Sequence, residues 1–214
     1  MPENPIGDLI GFLSDPNWPT PIFWLLMISS VVIAVIVWRR RPEQRDFSHV
    51  AQWAFRFVMG GFWWQQTLWK LPPTFAQDPS NPLTTGLAYW IGQIGKYAAI
   101  PLQGYVFGSI VLPHFYLFAP IVYAAEVLVA VSLLLGLFTR AFAAFGALQI
   151  LNLWLGLYNA PGEWPWTYFF LLVLQCMFAV HCYGRSLGLD ALLPATTPGR
   201  QATGVIGRLL AAAS

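Results

Sequence analysis

Charged residues are scarce in this sequence, and their scarcity restricts the class of protein more than any other feature. Only 9% of the 214 residues are charged, whereas 57% are hydrophobic, and the mean hydropathy is +0.58. A water-soluble domain carries about 25% charged residues. The composition therefore excludes a soluble globular domain and predicts an all-α integral membrane protein.

Cysteines and cofactor motifs are also few. Cys176 and Cys182 lie six residues apart in one apolar segment. On a helix they point about 120° apart, so they cannot bridge within it. The chain contains no C-x-x-C-H motif, P-loop, dinucleotide fingerprint or iron–sulfur ligand set, and its three histidines do not form a metal site by spacing. We therefore expect no haem, metal or nucleotide cofactor, and no nucleic-acid partner.

Long apolar runs predict five membrane-spanning helices. They cover approximately residues 21–38, 50–71, 115–138, 141–158 and 164–183. This divides the chain into an N-terminal segment with one span and an Arg-rich loop (1–49), a four-helix membrane domain (50–193) and a tail (194–214). Residues 72–111 connect spans two and three and contain an amphipathic pattern. That pattern predicts an external helix, which either lies on the membrane or covers the bundle.

The distribution of basic residues predicts the orientation of the chain. With five spans, eight arginines fall on the side of the loops that follow spans one, three and five. The opposite side holds only Lys70 and Lys96. Because short cytoplasmic loops are enriched in Lys and Arg, the Arg-rich side is predicted to be cytoplasmic. The N-terminus is then outside and the C-terminus inside.

Glu126 is the one charged residue within the predicted third span. A charged side chain near the middle of a bilayer costs about 2.5–3.5 kcal/mol on insertion scales, so it is expected to face the protein and to have a partner. Arg56 of the second span is the predicted charge partner, or else another polar group of spans two to five. The pair either locks two helices together, or Glu126 carries protons or hydrogen bonds a quinone.

A polar stripe on the second span is predicted to face inward. At 100° per residue, Arg56, Gly60, Trp63, Thr67 and Lys70 share one helical face. A stripe this polar is not expected to face lipid.

The other candidate site residues are aromatic or carry amides. Near the outer end of span two lie Trp63, Gln66 and Lys70. They form either a binding site for a quinone head group or an anion, or an interfacial aromatic belt with a snorkelling lysine. Tyr123 shares the helical face of Glu126. Gln149 and Asn152 either hydrogen bond between helices or line a cavity with Glu126.

Three stretches, taken in their order along the chain, resemble the DoxX-like membrane family. Within that family, the resemblance is greatest to the DoxD branch. They are Arg56…Gly60-Gly61…Lys70, then Glu126 followed by LLLGLFTRAFAAFG, and lastly the GRSLGLD motif of residues 184–190. The resemblance covers about residues 50–193. It implies a four-helix membrane bundle in a bacterial inner membrane and, for the DoxD branch, quinone-linked sulfur oxidation with partner subunits.

The sequence thus predicts a quinone-associated membrane subunit of a redox system. In this hypothesis Glu126, Arg56, Gln66 and Lys70 line one polar pocket, and any enzymatic activity is that of a quinone-dependent oxidoreductase. The rival hypothesis is a non-catalytic accessory subunit of a larger respiratory or photosynthetic complex, docked to other membrane or periplasmic subunits.

Overall fold

The structure is a computed structural model that describes residues 4–78, 80–81, 83–193 and 204–214, and all regular structure within these ranges is helical. The α-helices are α1 (Pro5–Ser14), α2 (Pro19–Arg40), α3 (Phe47–Leu68), α4 (Gly86–Tyr97), α5 (Pro101–Val106), α6 (Phe115–Leu135), α7 (Thr139–Gly156), α8 (Pro165–Val180) and α9 (Gly204–Ala213). One π-helical segment (Phe107–Val111) and 3-10 turns at Pro42–Gln44, Tyr183–Arg185 and Leu189–Leu192 complete the regular structure of the described ranges.

Helices α2, α3, α6, α7 and α8 lie where the five spans were predicted, so the all-α prediction is confirmed. By length and composition, α2 and α6 are the two helices of the described ranges that are long and apolar enough to cross a membrane. The count of five spans stays a prediction. Arg200 and the first half of the predicted tail lie outside the described residues.

The bundle is built from two helix pairs. Helix α3 packs along α6 and α7 packs along α8, while α6 also contacts α7 and joins the pairs. Helix α2 lies against α6 and α3. The shared core includes Met59, Trp63, Val129, Leu133 and Ile150, all buried. Close packing of these apolar side chains stabilises the bundle interior through van der Waals contacts.

Local sequence explains where several helices begin and end. Asn4 accepts a hydrogen bond from the Gly7 amide at 2.6 Å and caps α1, and Asp46 accepts one from the His49 amide at 2.9 Å and caps α3. Helix α6 ends at Leu135 and is capped by Gly136, whose left-handed φ of +68° is one that glycine adopts without steric cost. The residue before α7, Phe138, also has a positive φ, of 52°.

The connection between α3 and α6 is mostly helical. Helix α4 is amphipathic as predicted and buries Leu87, Ile91 and Ile94. Helix α4 crosses the π-helical segment at Gly95. The approach is so close that a Cβ on Gly95 would lie 3.0 Å from the Cα of Gly108. Helix α5 and the π-helical segment together form a helical layer with α4.

Candidate functional site: a buried lysine–glutamate pair

The polar stripe of α3 faces the interior, as its spacing predicted. Arg56, Gly60, Trp63, Thr67 and Lys70 are all buried. Gly60 permits the close packing of α3 on α6, since a Cβ there would lie 2.9 Å from the Leu134 amide nitrogen. The stripe therefore brings one cation to each end of the α3–α6 contact.

Lys70 and Glu126 form a salt bridge in the core. Lys70 lies two residues beyond the end of α3 and is 4% exposed, while Glu126 in α6 is 6% exposed. The Lys70 ammonium donates a hydrogen bond to Glu126 Oε1 at 2.7 Å and lies 2.6 Å from Oε2. Removing one partner of such a pair leaves an uncompensated buried charge, at a cost of about 3–5 kcal/mol.

Hydroxyl and aromatic groups surround this pair. Thr67 donates its hydroxyl hydrogen to the Trp64 carbonyl at 2.7 Å. The half-buried Tyr123 precedes Glu126 by three residues, so both side chains lie on one face of α6, and its ring centre lies 6.4 Å from that of the buried Phe75. The Lys70 ammonium lies 4.5 Å from the centre of the Trp69 ring, a cation–π distance. The cluster thus combines an ammonium, a carboxylate, a phenol and an aliphatic hydroxyl.

Glu126 was predicted to contact Arg56 or another polar group of spans two to five; Arg56 is not its partner, and Lys70 of span two fits the second alternative. Arg56 is fully buried, and its Nη1 donates hydrogen bonds to the carbonyls of Leu133 and Leu134, the latter at 3.1 Å. Those carbonyls lie about 10 Å along α6 from Glu126, at 1.5 Å per residue. Lys70, at the other end of the stripe, is the charge partner of Glu126 in place of Arg56.

Arg56 belongs instead to a second polar cluster, formed around the GRSLGLD motif. The fully buried Asp190 accepts hydrogen bonds from the backbone amides of Phe138 at 2.8 Å and Thr139 at 3.1 Å. It thereby caps α7, for which Phe138 provides no side-chain cap. Burial raises the pKa of the Asp190 carboxyl, while these amides and the charge of Arg56 oppose that shift.

The glycines of the motif allow this close packing. A Cβ at Gly184 would lie 2.1 Å from Asp190 Oδ2, and one at Gly188 would lie 3.1 Å from Arg56 Nη2. Gly136 faces the same guanidinium, with a Cβ position 2.6 Å from Nη1. The two turns therefore need residues without side chains at these points.

Residues around the start of α3 fix the motif from the other side. Gln44 donates to the Arg185 carbonyl at 2.8 Å and accepts from the Leu187 amide at 2.9 Å. His49 Nδ1 lies 2.9 Å from Ser186 Oγ, which in turn donates to Gln52. This second cluster is a structural lock between α2, α3, α6, α7 and the C-terminal segment.

The remaining candidate residues do not gather in one pocket. Gln66 is exposed and bonds to its neighbours Gln65 and Trp69, so its predicted place in an interior pocket is wrong. Asn152 accepts hydrogen bonds from Gln103 at 2.8 Å and so ties α7 to α5. Gln149 is half-buried.

Trp63 lies at a position where three other helices meet. A Cβ at Gly146 of α7 would lie 3.1 Å from the Trp63 ring, 3.2 Å from Val129 of α6 and 2.3 Å from the amide nitrogen of Gln175 of α8. Gln175 is fully buried and makes no hydrogen bond within the described residues. Gln175 was not among the residues predicted from the sequence, although an amide within an otherwise apolar run was a signal for it.

No group of three or more His, Cys, Asp or Glu side chains within the described ranges is arranged to hold a metal ion. No family model, curated protein or solved structure matches this chain. The DoxX-like resemblance therefore stays a prediction.

Proposed function

We propose that this chain is an integral membrane protein whose bundle crosses the bilayer five times. Support comes from the burial of four charged side chains, Arg56, Lys70, Glu126 and Asp190, together with the exposure of many large apolar groups, which reverses the usual arrangement of a soluble protein. Helix α2 exposes Leu25 and Ile28, and α8 exposes Phe170 and Val180. Surfaces this apolar are unfavourable in water and suited to lipid.

The orientation follows from the exposed arginines. Arg39, Arg40 and Arg45 are exposed at the end of α2 and the loop after it, and Arg208 is exposed in α9. By the positive-inside tendency, this end of the molecule faces the cytoplasm. We place the protein in a bacterial inner membrane, with the N-terminus, the 72–111 connection and the Lys70–Glu126 pair nearer the outer side.

Within that membrane, we propose that the chain is the quinone-associated subunit of a redox system, in which partner subunits supply the electrons. The observation that carries this proposal is the Lys70–Glu126 pair, because ionisable residues inside a membrane protein generally mark proton, ion or substrate sites. The DoxX-like resemblance points to the same chemistry, with sulfur compounds as one class of electron donor.

The residues around the pair suit a quinone head group. Lys70 and Tyr123 carry hydrogen-bond donors for a carbonyl oxygen, and Tyr123 is half-buried and lies on the same face of α6 as Glu126. A bound quinone supplies two-electron chemistry coupled to proton uptake. The chain's own contribution is to orient the head group through Lys70 and to hold a proton on Glu126.

Quinone content tests this proposal. The protein is purified from bacterial inner membranes in a mild detergent, and its extracted quinone is measured per chain. We expect bound quinone in the wild type and a loss of at least tenfold in Glu126→Gln. Glu43→Gln is the matched control, since Glu43 is exposed and contacts Arg41 at 3.6 Å. Quinone-free wild-type protein, prepared with its native lipids, would contradict the proposal.

A second candidate function is a non-catalytic accessory subunit of a larger respiratory or photosynthetic complex. The second polar cluster favours it, because Arg56 and Asp190 are used to hold backbone groups in place. In that case the chain copurifies with a large complex, and both the wild type and Glu126→Gln carry no quinone. Size-exclusion chromatography of the same preparations distinguishes the two functions.

A further inference from the structure

Three exposed arginines lie together at the C-terminal end of α2, which the proposed orientation places on the cytoplasmic side. Arg39 and Arg40 are the last two residues of the helix, and the loop that follows brings Arg45 back to them. Arg45 donates hydrogen bonds from Nε to the Trp38 carbonyl at 2.8 Å and from Nη2 to the Arg39 carbonyl at 3.1 Å. The guanidinium of Arg45 is therefore held against the last turn of α2, beside the other two cations.

The carboxylates of the same loop do not neutralise these arginines. Glu43 contacts Arg41 at 3.6 Å, and Asp46 accepts a hydrogen bond from the His49 amide at 2.9 Å. Within the described ranges, no salt bridge involves any of the three arginines. Because like charges repel one another, an anion from outside the chain would stabilise this cluster.

The chemistry of the cluster suits a phosphate group. A guanidinium carries five N–H donors, and the two carbonyls use two of those of Arg45. The remaining donors and the exposed side chain of Arg39 are available to phosphate oxygens, which guanidinium groups bind through paired, charge-assisted hydrogen bonds.

An exposed apolar stripe continues from the cluster along α2. At 100° per residue, Ile28, Val32, Val35 and Arg39 fall within about 60° of one another, and the three apolar side chains are exposed. From Ile28 to Arg39 the stripe is about 16 Å long at 1.5 Å per residue. That is about half of the roughly 30 Å hydrocarbon thickness of a bilayer. The stripe therefore matches the depth of one leaflet, with the cations at its polar boundary.

We propose that this end of α2 is a binding site for an anionic phospholipid of the inner leaflet. Arg39 and Arg45 bind the phosphate, Arg40 adds to the positive potential, and an acyl chain lies along the stripe. Basic residues next to a membrane helix attract anionic lipids, and here they adjoin an apolar surface that a soluble anion would not use. The inference rests on the proposed membrane orientation and does not involve the Lys70–Glu126 pair.

Lipid binding to the full-length protein in mild detergent tests this site. Native mass spectrometry measures the affinity for phosphatidylglycerol and for phosphatidylcholine with the same acyl chains. We expect phosphatidylglycerol to bind at least tenfold more tightly to the wild type, and Arg39→Gln to weaken that binding at least fivefold. Arg39→Gln should fold, because it leaves both hydrogen bonds of Arg45 in place. Equal affinities for the two lipids would overturn the proposal.

A matched control separates a local site from the summed charge of this end of the molecule. Arg208→Gln removes the same charge from an exposed arginine of α9, a helix that packs on α7. We expect its affinity for phosphatidylglycerol to stay within about twofold of the wild type. A loss as large as that of Arg39→Gln would overturn the site at α2.

A competition experiment distinguishes a lipid from a free anion. Glycerophosphoglycerol, the deacylated head group, carries the same phosphate but no acyl chain. We expect a tenfold molar excess of it to leave phosphatidylglycerol bound, because it cannot cover the stripe of α2. Full displacement would overturn the lipid as the occupant, since the arginines alone would then account for binding.

Maleimide labelling of Glu43→Cys from each side of the membrane tests the orientation separately. Labelling from the cytoplasmic side only, together with equal affinities for the two lipids, would overturn the lipid site and leave the proposed orientation standing. Selective lipid binding together with labelling from the outer side would overturn the orientation, and with it the inner-leaflet location of the site.

Discussion

At the scale of single residues, the main feature is that two buried cations are used in different ways. Lys70 neutralises a carboxylate, and Arg56 donates to main-chain carbonyls. The difference matches their chemistry, since a guanidinium offers several donors in a fixed plane whereas an ammonium is a compact point charge. Each cation therefore stabilises a different end of the α3–α6 contact.

The sequence predicted that Glu126 contacts Arg56 or another polar group of spans two to five, and the structure shows the second alternative, Lys70. Helical periodicity determines which face a residue lies on, and Arg56 and Lys70 share that face. Periodicity does not determine the relative depth of two packed helices. That depth depends on the close approach of Gly60 to Leu134, a tertiary contact that one sequence does not reveal.

The first prediction concerns the salt bridge. We expect Lys70→Met to lower the free energy of unfolding by about 3–5 kcal/mol, because it leaves Glu126 charged and buried. The double variant Lys70→Met/Glu126→Leu should recover most of this loss. Thermal unfolding in mild detergent measures both. Lys96→Met is the matched control, since Lys96 is exposed and should change stability little. Equal losses in the single and double variants would contradict the pairing.

The second prediction concerns the cap of α7. Asp190→Ala removes two hydrogen bonds from backbone amides to a buried carboxylate, and we expect a loss of about 3 kcal/mol. Asp46→Ala removes an exposed cap of α3 and should cost only about 1 kcal/mol. The comparison is made by thermal unfolding of both variants. Similar losses would show that Asp190 acts as an ordinary surface cap.

At the scale of elements, the five long helices and the amphipathic helix α4 were predictable, whereas the contacts at the ends of the helices were not. Apolar runs of spanning length located α2, α3, α6, α7 and α8 to within a few residues at each end, because such runs have few alternatives to a helix. The corner between α6 and α7 was not predictable in detail. It relies on Asp190, which lies more than 50 residues further along the chain.

The third prediction concerns the glycines at that corner. We expect Gly184→Ala to lower the melting temperature, because the added Cβ would overlap Asp190 Oδ2 and the Thr139 hydroxyl. Gly11→Ala in α1 is the control: nothing lies within 4 Å of its added Cβ, so it should be neutral or stabilise the helix by about 0.5–1 kcal/mol. A Gly184→Ala protein as stable as Gly11→Ala would exclude a tight corner.

At the scale of the whole molecule, inverted polarity is the organising feature. The salt bridge and the Asp190 cluster are buried, and the outer faces of α2 and α8 are apolar. Composition alone predicted a membrane protein, since few charges and many large apolar groups cannot cover a soluble surface. It did not predict that the polar side chains divide into two separate clusters.

The fourth prediction concerns orientation. The background has both native cysteines replaced by serine. In it, Asn81→Cys should react with a maleimide that passes the permeabilised outer membrane of intact cells but does not cross the inner membrane. Glu43→Cys should react only after the inner membrane is opened, because it lies in the Arg-rich loop after α2. The reverse pattern would invert the proposed orientation.

The most direct test of the membrane placement uses Cys176, a free cysteine on the exposed face of α8. In Cys182→Ser, Cys176 is the sole thiol, and its labelling by a water-soluble maleimide is measured in native membranes and after denaturation in detergent. If α8 faces lipid, Cys176 stays unlabelled in native membranes, even when both sides are accessible, and is labelled fully once denatured. Rapid labelling of the folded protein in native membranes would contradict the account, because it would place this apolar face in water.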